Sequence, residues 1–545
     1  MVIQSPRPPI TMPDTGLLQF IFENTHKTPH DRKIYIDAFT GESLAYGQLK
    51  DDILRFAATL QDKFNFQRGD VVAICSPNQV DFAVPLLGAV AAGGASSAAN
   101  PAYTSTELVH QLEMTNAKIL IAHETNVEMA LKAADIVGLS RSRVFVFGKN
   151  QVQEIAPWSQ VFMGERRATL IPLNAQEAKE TVAYLCFSSG TTGKSKGVMT
   201  THTNIIANVL QHESSEGAAI NGDEDKTIGV VPFFHIFGLT LLMNVAIYLG
   251  TPVYVMSKFD LVKLCETIQK EKVTLTCLVP PIILLLAKHP IIDNYDLSSL
   301  KVVICGAAPL SAELSQQTRR RLPTVIVKQG YGLTETSPFA SVEPSEDVVD
   351  GSIGFLVSSM TAKIVDDNGA ELPTGERGEL WLKGPNIMKG YINNPEATAE
   401  CIDDEEYFHT GDIAIQDQNG RLYIVDRKKE LIKYKGFQVP PAELEGILFT
   451  SPMVADCAVI GVYDASQATE IPRGYVTLAA NVPATEETAE IIKKFVTDKV
   501  VYYKQLRSIV FIDEIPKSAA GKILRRVLRD AAAEEQVSQK QKPKL

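Results

Sequence analysis

The chain carries no surplus of positive charge. Its 53 Lys and Arg stand against 64 Asp and Glu, a formal net charge of −11 over 545 residues. A protein that grips a nucleic-acid backbone normally presents a basic face, so no nucleic-acid partner is expected. A nucleotide pocket remains open, because local lysines and arginines outweigh distant surface charge. Cysteine is present but unpatterned. The seven, at 75, 186, 265, 277, 305, 401 and 457, are odd in number and form no C-x-x-C pair or Cys/His cluster. That argues against a disulfide framework or a zinc site and for a reducing compartment. The Pro-rich start, MVIQSPRPPITMPDTG, lacks the apolar segment of a secretory signal, and no internal repeat is visible. From Thr227 to Ser257 there is no charged residue at all, a run long enough to span a bilayer. Pro232, His235, Gly238 and Gly250-Thr251-Pro252 punctuate it, so we expect a buried strand, a turn, a buried helix and a second strand, and no integral membrane span.

The length calls for two or more domains, and 45% hydrophobic with 21% charged residues is ordinary globular composition. Apolar runs that read as buried strands recur at 71–75, 118–122, 143–147, 182–187 and 301–305, separated by helix-like segments such as LVKLCETIQKEK. Such alternation predicts an α/β fold with layered, mostly parallel sheets. Past about residue 350 the texture becomes a β-rich meander with Asn-Gly and Thr-Gly turns. After the polar string RKKE a small α+β domain is expected. The divisions are 1–427, 428–530 and a flexible polar tail at 531–545.

Five stretches carry chemistry. SSGTTGKSKG (188–197) resembles a phosphate loop, but Ser188 stands where a Walker A motif needs its first glycine. Its small residues let backbone approach an anion, with Lys194 and Lys196 supplying charge; a solvated Gly/Ser/Thr loop is the plain alternative. QGYGLTETSP (329–338) fails G-x-G-x-x-G at Glu335, yet offers an aromatic face in Tyr331, a hydroxyl in Thr334 and a hard oxygen in Glu335 suited to Mg²⁺. A turn with a helix cap at Thr334 reads equally well. YFHTGD places Asp412 after a glycine, suited to sugar hydroxyls. DRKKELIKYKGFQVPPAELE interleaves Arg427, Lys428, Lys429, Lys433 and Lys435 with apolar residues, where a charge run is usually a solvated face. PKSAAGKILRR sets Lys522 behind a glycine in a loop before a basic helix.

Together, and in this order, with GDVVAICSPN, NPAYTSTEL, FFHIFG and CGAAPLS, these stretches resemble the adenylate-forming acyl-CoA synthetase superfamily, in the branch of 4-coumarate–CoA ligases and beetle luciferases. The resemblance covers nearly the whole chain. It implies a large N-terminal domain with a β-rich subdomain and a small mobile C-terminal domain. It implies an ATP-dependent acid–thiol ligase that adenylates a carboxylic acid and passes the acyl group to CoA, with Mg²⁺ as cofactor. Ser188, Ser189, Gly190, Thr191, Thr192 and Lys196 would hold the β- and γ-phosphates. Ala307, Ala308, Gln329, Gly330, Tyr331 and Gly332 would frame adenine and adenylate, Thr334 the α-phosphate, Glu335 the metal, and Asp412 with Arg427 the ribose. Lys522 would bridge carboxylate and α-phosphate, Lys429 would be the pivot, and Lys433, Lys435 and Gly436 the face presented for thiol attack. His235, Phe237, Leu241, Gly306 and Gly332 would meet the acyl group.

The stretch after His235 departs from 4-coumarate ligases. Phe237, Gly238 and Leu241 replace its pattern, implying an apolar pocket for an aryl-alkanoic or medium-chain acid. An enzyme loading the phosphopantetheine of a carrier protein, a luciferase-like oxygenase and a non-catalytic nucleotide binder are the alternatives. The final Pro543-Lys544-Leu545 differs at one position from the peroxisomal address S-K-L. A peroxisomal import receptor is therefore an expected partner, with a cytoplasmic protein as the alternative.

Overall fold

The computed structural model describes residues 2–188, 195–216, 224–435, 437–464, 467, 469–518 and 521–541, with side chains as far as 535. Buried β-branched runs build the frame. The stretch Val71–Cys75 is buried along its whole length and lies parallel to Ala95–Ala99 and Ile119–His123, with Val144–Phe147 parallel beyond. Strands without an exposed face occur where helices cover both sides of a parallel sheet. Val182–Ser188 joins this sheet parallel to Ala95–Ala99 and turns back antiparallel into Lys196–Thr201, in a seven-stranded sheet.

A second, nine-stranded sheet carries Thr227–Gly229, Val253–Val255, Leu275–Leu278, Val302–Cys305 and Ile326–Gly332 as parallel neighbours or near-neighbours. The uncharged run thus folds as expected: a strand, a turn, the short helical pieces Ile236–Gly238, Leu239–Val245 and Ala246–Leu249, then a strand. Among the described residues no helix is long and apolar enough to cross a membrane. The meander forms an antiparallel sheet of Thr361–Val365, Gly378–Lys383, Phe408–Gln416 and Leu422–Arg427, edged by Ile3–Gln4.

From Ile432 onward a separate core begins, made of Val439, Leu444, Leu448, Val459, Val476, Ile492 and Val496. It lies between the sheet Val454–Asp464, Thr469–Leu478, Ser508–Phe511 and the helices Pro441–Phe449 and Glu486–Thr497. One difference from the sequence reading concerns the end of the chain. The segment expected as a polar tail from 531 continues the helix Arg525–Gln541. Leu528 and Ala532, one turn apart, are buried beside Ile460, Val462 and Tyr475, and this apolar stripe docks the helix on the small domain.

One polar contact inside the large domain stands out. Lys328 and Glu216 are both buried, the ammonium donating to both carboxylate oxygens at 2.7 Å and to Ser345 Oγ at 2.8 Å. The pair ties the end of helix His202–Glu216 to the strand Ile326–Gly332 that enters the cavity. Lys328→Met should lower stability by about 3–5 kcal/mol, since it leaves a buried carboxylate uncompensated, whereas Lys328→Met with Glu216→Leu should recover most of the loss. Urea denaturation of the three proteins checks this; equal losses in the single and double variants would contradict it.

Candidate active site

A cavity of about 1360 Å³ opens where the elements of both large sheets, the antiparallel sheet and the small domain meet. Ser188 ends one strand and Lys196 starts the next; Gly306 and Ala307 follow Val302–Cys305; Tyr331 and Gly332 end Ile326–Gly332. Ligands of open α/β sheets bind at this place, beyond the carboxyl ends of the strands. The backbone is tight here. A Cβ on Gly332 would stand 1.8 Å from the Pro338 carbonyl oxygen, so no side chain fits. Ala307, on the wall, has φ +68°, a conformation that alanine rarely adopts. Strain of this kind persists where surrounding structure enforces it, often at ligand sites.

Lys522 enters from the small domain on a tight loop. Ser518 N–H donates to the Lys522 carbonyl at 2.8 Å, Gly521 N–H to the Ser518 carbonyl at 2.8 Å, and Gly521 supplies φ +78°. Burial, then the nearby charge of Arg427, pushes the Lys522 ammonium down to about 8. Among the described residues no carboxylate lies within ion-pair distance of it. Opposite, the antiparallel register sets Asp412 beside Arg427. Tyr331 Oη donates to Asp412 Oδ2 at 2.6 Å and Arg427 Nε lies 3.3 Å from Oδ1. Burial raises the Asp412 carboxyl above its usual range, with Arg427 opposing. Arg427 and Tyr331 line the cavity, and Asp412 lies behind them.

Lys196, Tyr391, Glu335 and Cys401 share another wall. Tyr391 Oη donates to Glu335 Oε1 at 2.9 Å, and Lys196 Nζ stands 4.7 Å from the centre of the Tyr391 ring. Among the described residues no three His, Cys, Asp or Glu side chains cluster as a metal cage. The Glu335 carboxylate on a cavity wall beside a lysine fits the way Mg²⁺ is held, by one or two carboxylates with substrate phosphates and water.

One side of the cavity is apolar: Phe234, Ile236, Phe237, Leu333, Pro338 and Phe339. The Phe237 ring covers Gly306, whose added Cβ would meet it at 3.0 Å, and stands edge-on to Phe339 at 6.5 Å. His235 is the polar exception. Burial, then the charge of Lys522, pushes it down to about 4, so it is neutral at physiological pH. Its Nδ1 accepts from Phe237 N–H at 3.3 Å, which places the ring proton on Nε2.

The cavity therefore gathers Ser188, Lys196, His235, Phe237, Gly306, Ala307, Gly330, Tyr331, Gly332, Thr334, Glu335, Arg427, Lys429 and Lys522. Other sequence candidates stand elsewhere. Gln329 is turned away: its Oε1 accepts from Leu310 N–H at 2.7 Å and its Nε2 donates to the Ser352 carbonyl at 3.0 Å, bracing the CGAAPL turn. Ala308 is off the wall, and Leu241 is packed in the core of the helical segment Leu239–Val245. Lys433 and Lys435 are exposed on the small domain, with their N–H groups bonded to Glu470 Oε2 and Thr469 Oγ1 at 2.7 and 2.8 Å. Ser189, Gly190, Thr191, Thr192, Gly436 and the terminal Pro543-Lys544-Leu545 lie outside the described residues. Sequence reasoning missed Tyr391 and Phe339. Tyr391 sits in KGYINNPEAT, where only a turn-rich composition signals it.

Residues 21–392 match the family described as AMP-binding enzyme, and residues 443–522 match the AMP-binding enzyme C-terminal domain. The chain belongs to the AMP-binding enzyme family. Within it, this AMP-binding enzyme is an AMP-forming acid–CoA ligase of the 4-coumarate–CoA ligase-like kind. It is 38% identical to 4-coumarate-CoA ligase 1 of Narcissus pseudonarcissus, covering 98% of this chain and 97% of that one. It is 37% identical to a probable 4-coumarate–CoA ligase 1 of Dictyostelium discoideum, with 96% of each chain covered. Its fold is similar to that of ATP-bound MatB from Rhodopseudomonas palustris, with TM-score 0.83, 26% identity, and 95% of this chain and 98% of that one covered.

If the Lys522 cation acts in the AMP-binding enzyme's first chemical step, activity belongs to its protonated form. The kcat/KM for acid-dependent pyrophosphate release should then fall as pH rises through about 8, the value to which burial lowers the group. His235, neutral far above about 4, should add no break near pH 6.5. Lys522→Arg should move the descending limb upward. A profile flat to pH 10 would contradict the assignment.

Proposed function

We propose that this ligase adenylates an apolar aryl, aryl-alkanoic or medium-chain carboxylic acid with ATP and transfers the acyl group to the thiol of CoA. The carrying observation is the convergence of Lys522, Arg427, Lys196, Thr334 and Glu335 on one cavity whose opposite wall is apolar. A carboxylate and a triphosphate repel each other, so a site for both must supply cations and fixed donors in advance.

In the first step a carboxylate oxygen bonds to the α-phosphorus, and the bond from that phosphorus to the bridging oxygen breaks, releasing pyrophosphate. Lys522 meets both anions as they approach. Lys196, Ser188 and the loop beyond it take the β- and γ-phosphates, and Thr334 the α-phosphate. Arg427 lies on the ribose side, with Asp412 holding Tyr331 against the base. Glu335 would hold Mg²⁺, which supplies charge neutralisation to the phosphates when bound. In the second step the thiol sulfur bonds to the acyl carbon, the bond from that carbon to the AMP oxygen breaks, and the thiol proton passes to solvent as AMP leaves.

The aromatic edge-to-face pair Phe237 and Phe339, packed over Gly306 and Gly330, gives the cavity a flat apolar surface that favours a flat apolar acyl group. Names of the relatives, 4-coumarate–CoA ligases, support the aryl class. Lys522 inside the cavity with Lys433 and Lys435 facing solvent supports a division of labour: this arrangement serves adenylation, and movement about Lys429 exchanges the two faces for thiol attack.

An acid panel assayed for pyrophosphate release with ATP and Mg²⁺, then repeated with CoA, names the substrate. Lys522→Ala should slow pyrophosphate release by about 10²–10³-fold yet consume supplied acyl-adenylate with CoA. Lys433→Ala should slow the thiol step more than the first. Normal pyrophosphate release by the Lys522 variant, or transfer to a pantetheinylated carrier but not to CoA, would overturn the proposal.

A further inference from the structure

Tyr391 belongs to neither end of the proposed reaction, yet it touches both groups assigned to the phosphate and metal side. It lies on the two-residue strand Gly390–Tyr391, which pairs antiparallel with Lys196–Thr201 at the edge of the seven-stranded sheet. Its N–H donates to Thr398 Oγ1 at 2.9 Å, and Thr398 in turn donates to the Asn394 carbonyl at 2.9 Å, which fixes the backbone. The side chain is buried at 8% exposure, and its hydroxyl donates to Glu335 Oε1. Above the ring stands Lys196 Nζ. The same segment reaches Glu335 a second time, through Met388 N–H to the Glu335 carbonyl at 2.9 Å.

From this geometry we infer that Tyr391 is a positioning residue which aims the Glu335 carboxylate at a divalent cation and the Lys196 ammonium at the phosphates of the same nucleotide. The inference rests on the roles proposed above for Glu335 and Lys196. Its physical content is twofold. A buried carboxylate with one oxygen bonded to a fixed hydroxyl loses its freedom to rotate, so the other oxygen points in one direction before any cation arrives. A lysine has four rotatable bonds and little reason to hold one orientation, and the face of a buried ring gives it one. One side chain therefore sets the spacing between the metal-side anion and the phosphate-side cation. It does so from a strand hydrogen-bonded to the segment that carries the lysine.

The two functions separate by substitution. Tyr391→Phe keeps the ring beneath Lys196 and removes the hydroxyl's bond to Glu335 together with its contact to the Cys401 thiol. Tyr391→Leu removes the ring as well. In full-length protein, Mn²⁺ binding read by electron paramagnetic resonance with a non-hydrolysable ATP analogue reports the carboxylate. Calorimetric binding of that analogue in EDTA reports the lysine.

Tyr391→Phe should weaken Mn²⁺ binding by about ten-fold, the scale for losing a bond that orients a metal ligand, and leave metal-free nucleotide binding unchanged. Tyr391→Leu should weaken Mn²⁺ equally and metal-free binding by about three-fold. Glu335→Gln is the reference. Wild-type Mn²⁺ affinity in Tyr391→Phe beside a weakened Glu335→Gln would overturn the role of Tyr391 and leave that of Glu335 standing. Wild-type affinity in Glu335→Gln would overturn the metal reading and this inference with it. Should Tyr391→Leu fail to fold, the comparison of Tyr391→Phe with Glu335→Gln still decides.

Discussion

A half-buried ammonium group with no carboxylate at ion-pair distance among the described residues sets the terms for this molecule. Lys522 is pushed down to about 8 because burial and Arg427 both disfavour its charge, and a chain gains no stability from such a placement. What makes it tolerable is the scaffolding behind it. Three residues on, Arg525 donates to Glu430 Oε2 at 2.7 Å and to both oxygens of Glu445 at 2.8 and 2.7 Å. These buried pairs fasten the start of the terminal helix to the segment just past Arg427 and to helix Pro441–Phe449. Satisfied charges stand behind the loop and an unsatisfied one in front. In the proposed reaction a bound anion is the partner for this charge, and substrate binding supplies an attraction that folding does not.

The apolar wall belongs to the same logic. Phe237, Phe339 and Pro338 line that side of the cavity, and an acid packed against them would shed water, which strengthens every charge–charge attraction. His235 adds a proton donor at Nε2 with no net charge, because burial keeps it neutral. A charged imidazole there would compete with Lys522 for the acid. The neutral ring instead offers a directed hydrogen bond in a place where a second cation would be redundant.

Much of the frame was legible in sequence because its signals are local. Uninterrupted runs such as VVAIC and KVVIC are buried parallel strands for a reason visible in five letters, and Asn-Gly and Thr-Gly turns mark the meander. Lys522, Glu335, Arg427 and Lys196 were legible because motif order points to them, and the cavity contains all four. Gln329 was misplaced for a positional reason. It belongs to the right motif, but its amide bonds to Leu310 and Ser352, and only the folded turn reveals which way it faces. Phe339 and Tyr391 carried no local signal. An edge-on ring and a hydroxyl on a distant carboxylate depend on contacts far apart in sequence. The continuation of the terminal helix past 530 was missed because Leu528 and Ala532 form a stripe too narrow to stand out in the sequence.

The two sets of cations on the small domain raise a question that geometry constrains. Lys522 occupies the cavity while Lys433 and Lys435 face solvent on the same domain, and one rigid arrangement cannot seat both. The domain is built to be separable. Its core from Ile432 onward is distinct from the large one. Polar links across the boundary include Asp426 Oδ2 accepting from Ala442 N–H at 2.9 Å and Lys288 Nζ donating to the Phe449 carbonyl at 3.1 Å. The exposed Lys288 contact is replaced by water at small cost, and even the buried Asp426 carboxylate regains water on separation, whereas a shared apolar core would be exposed to it. A thiol must approach the acyl carbon after pyrophosphate has gone, and the loop that delivered Lys522 fills part of that space. In the proposed reaction, the same loop that makes adenylation possible must leave before the second step. Keeping the apolar cores apart is what lets it leave without unfolding either domain.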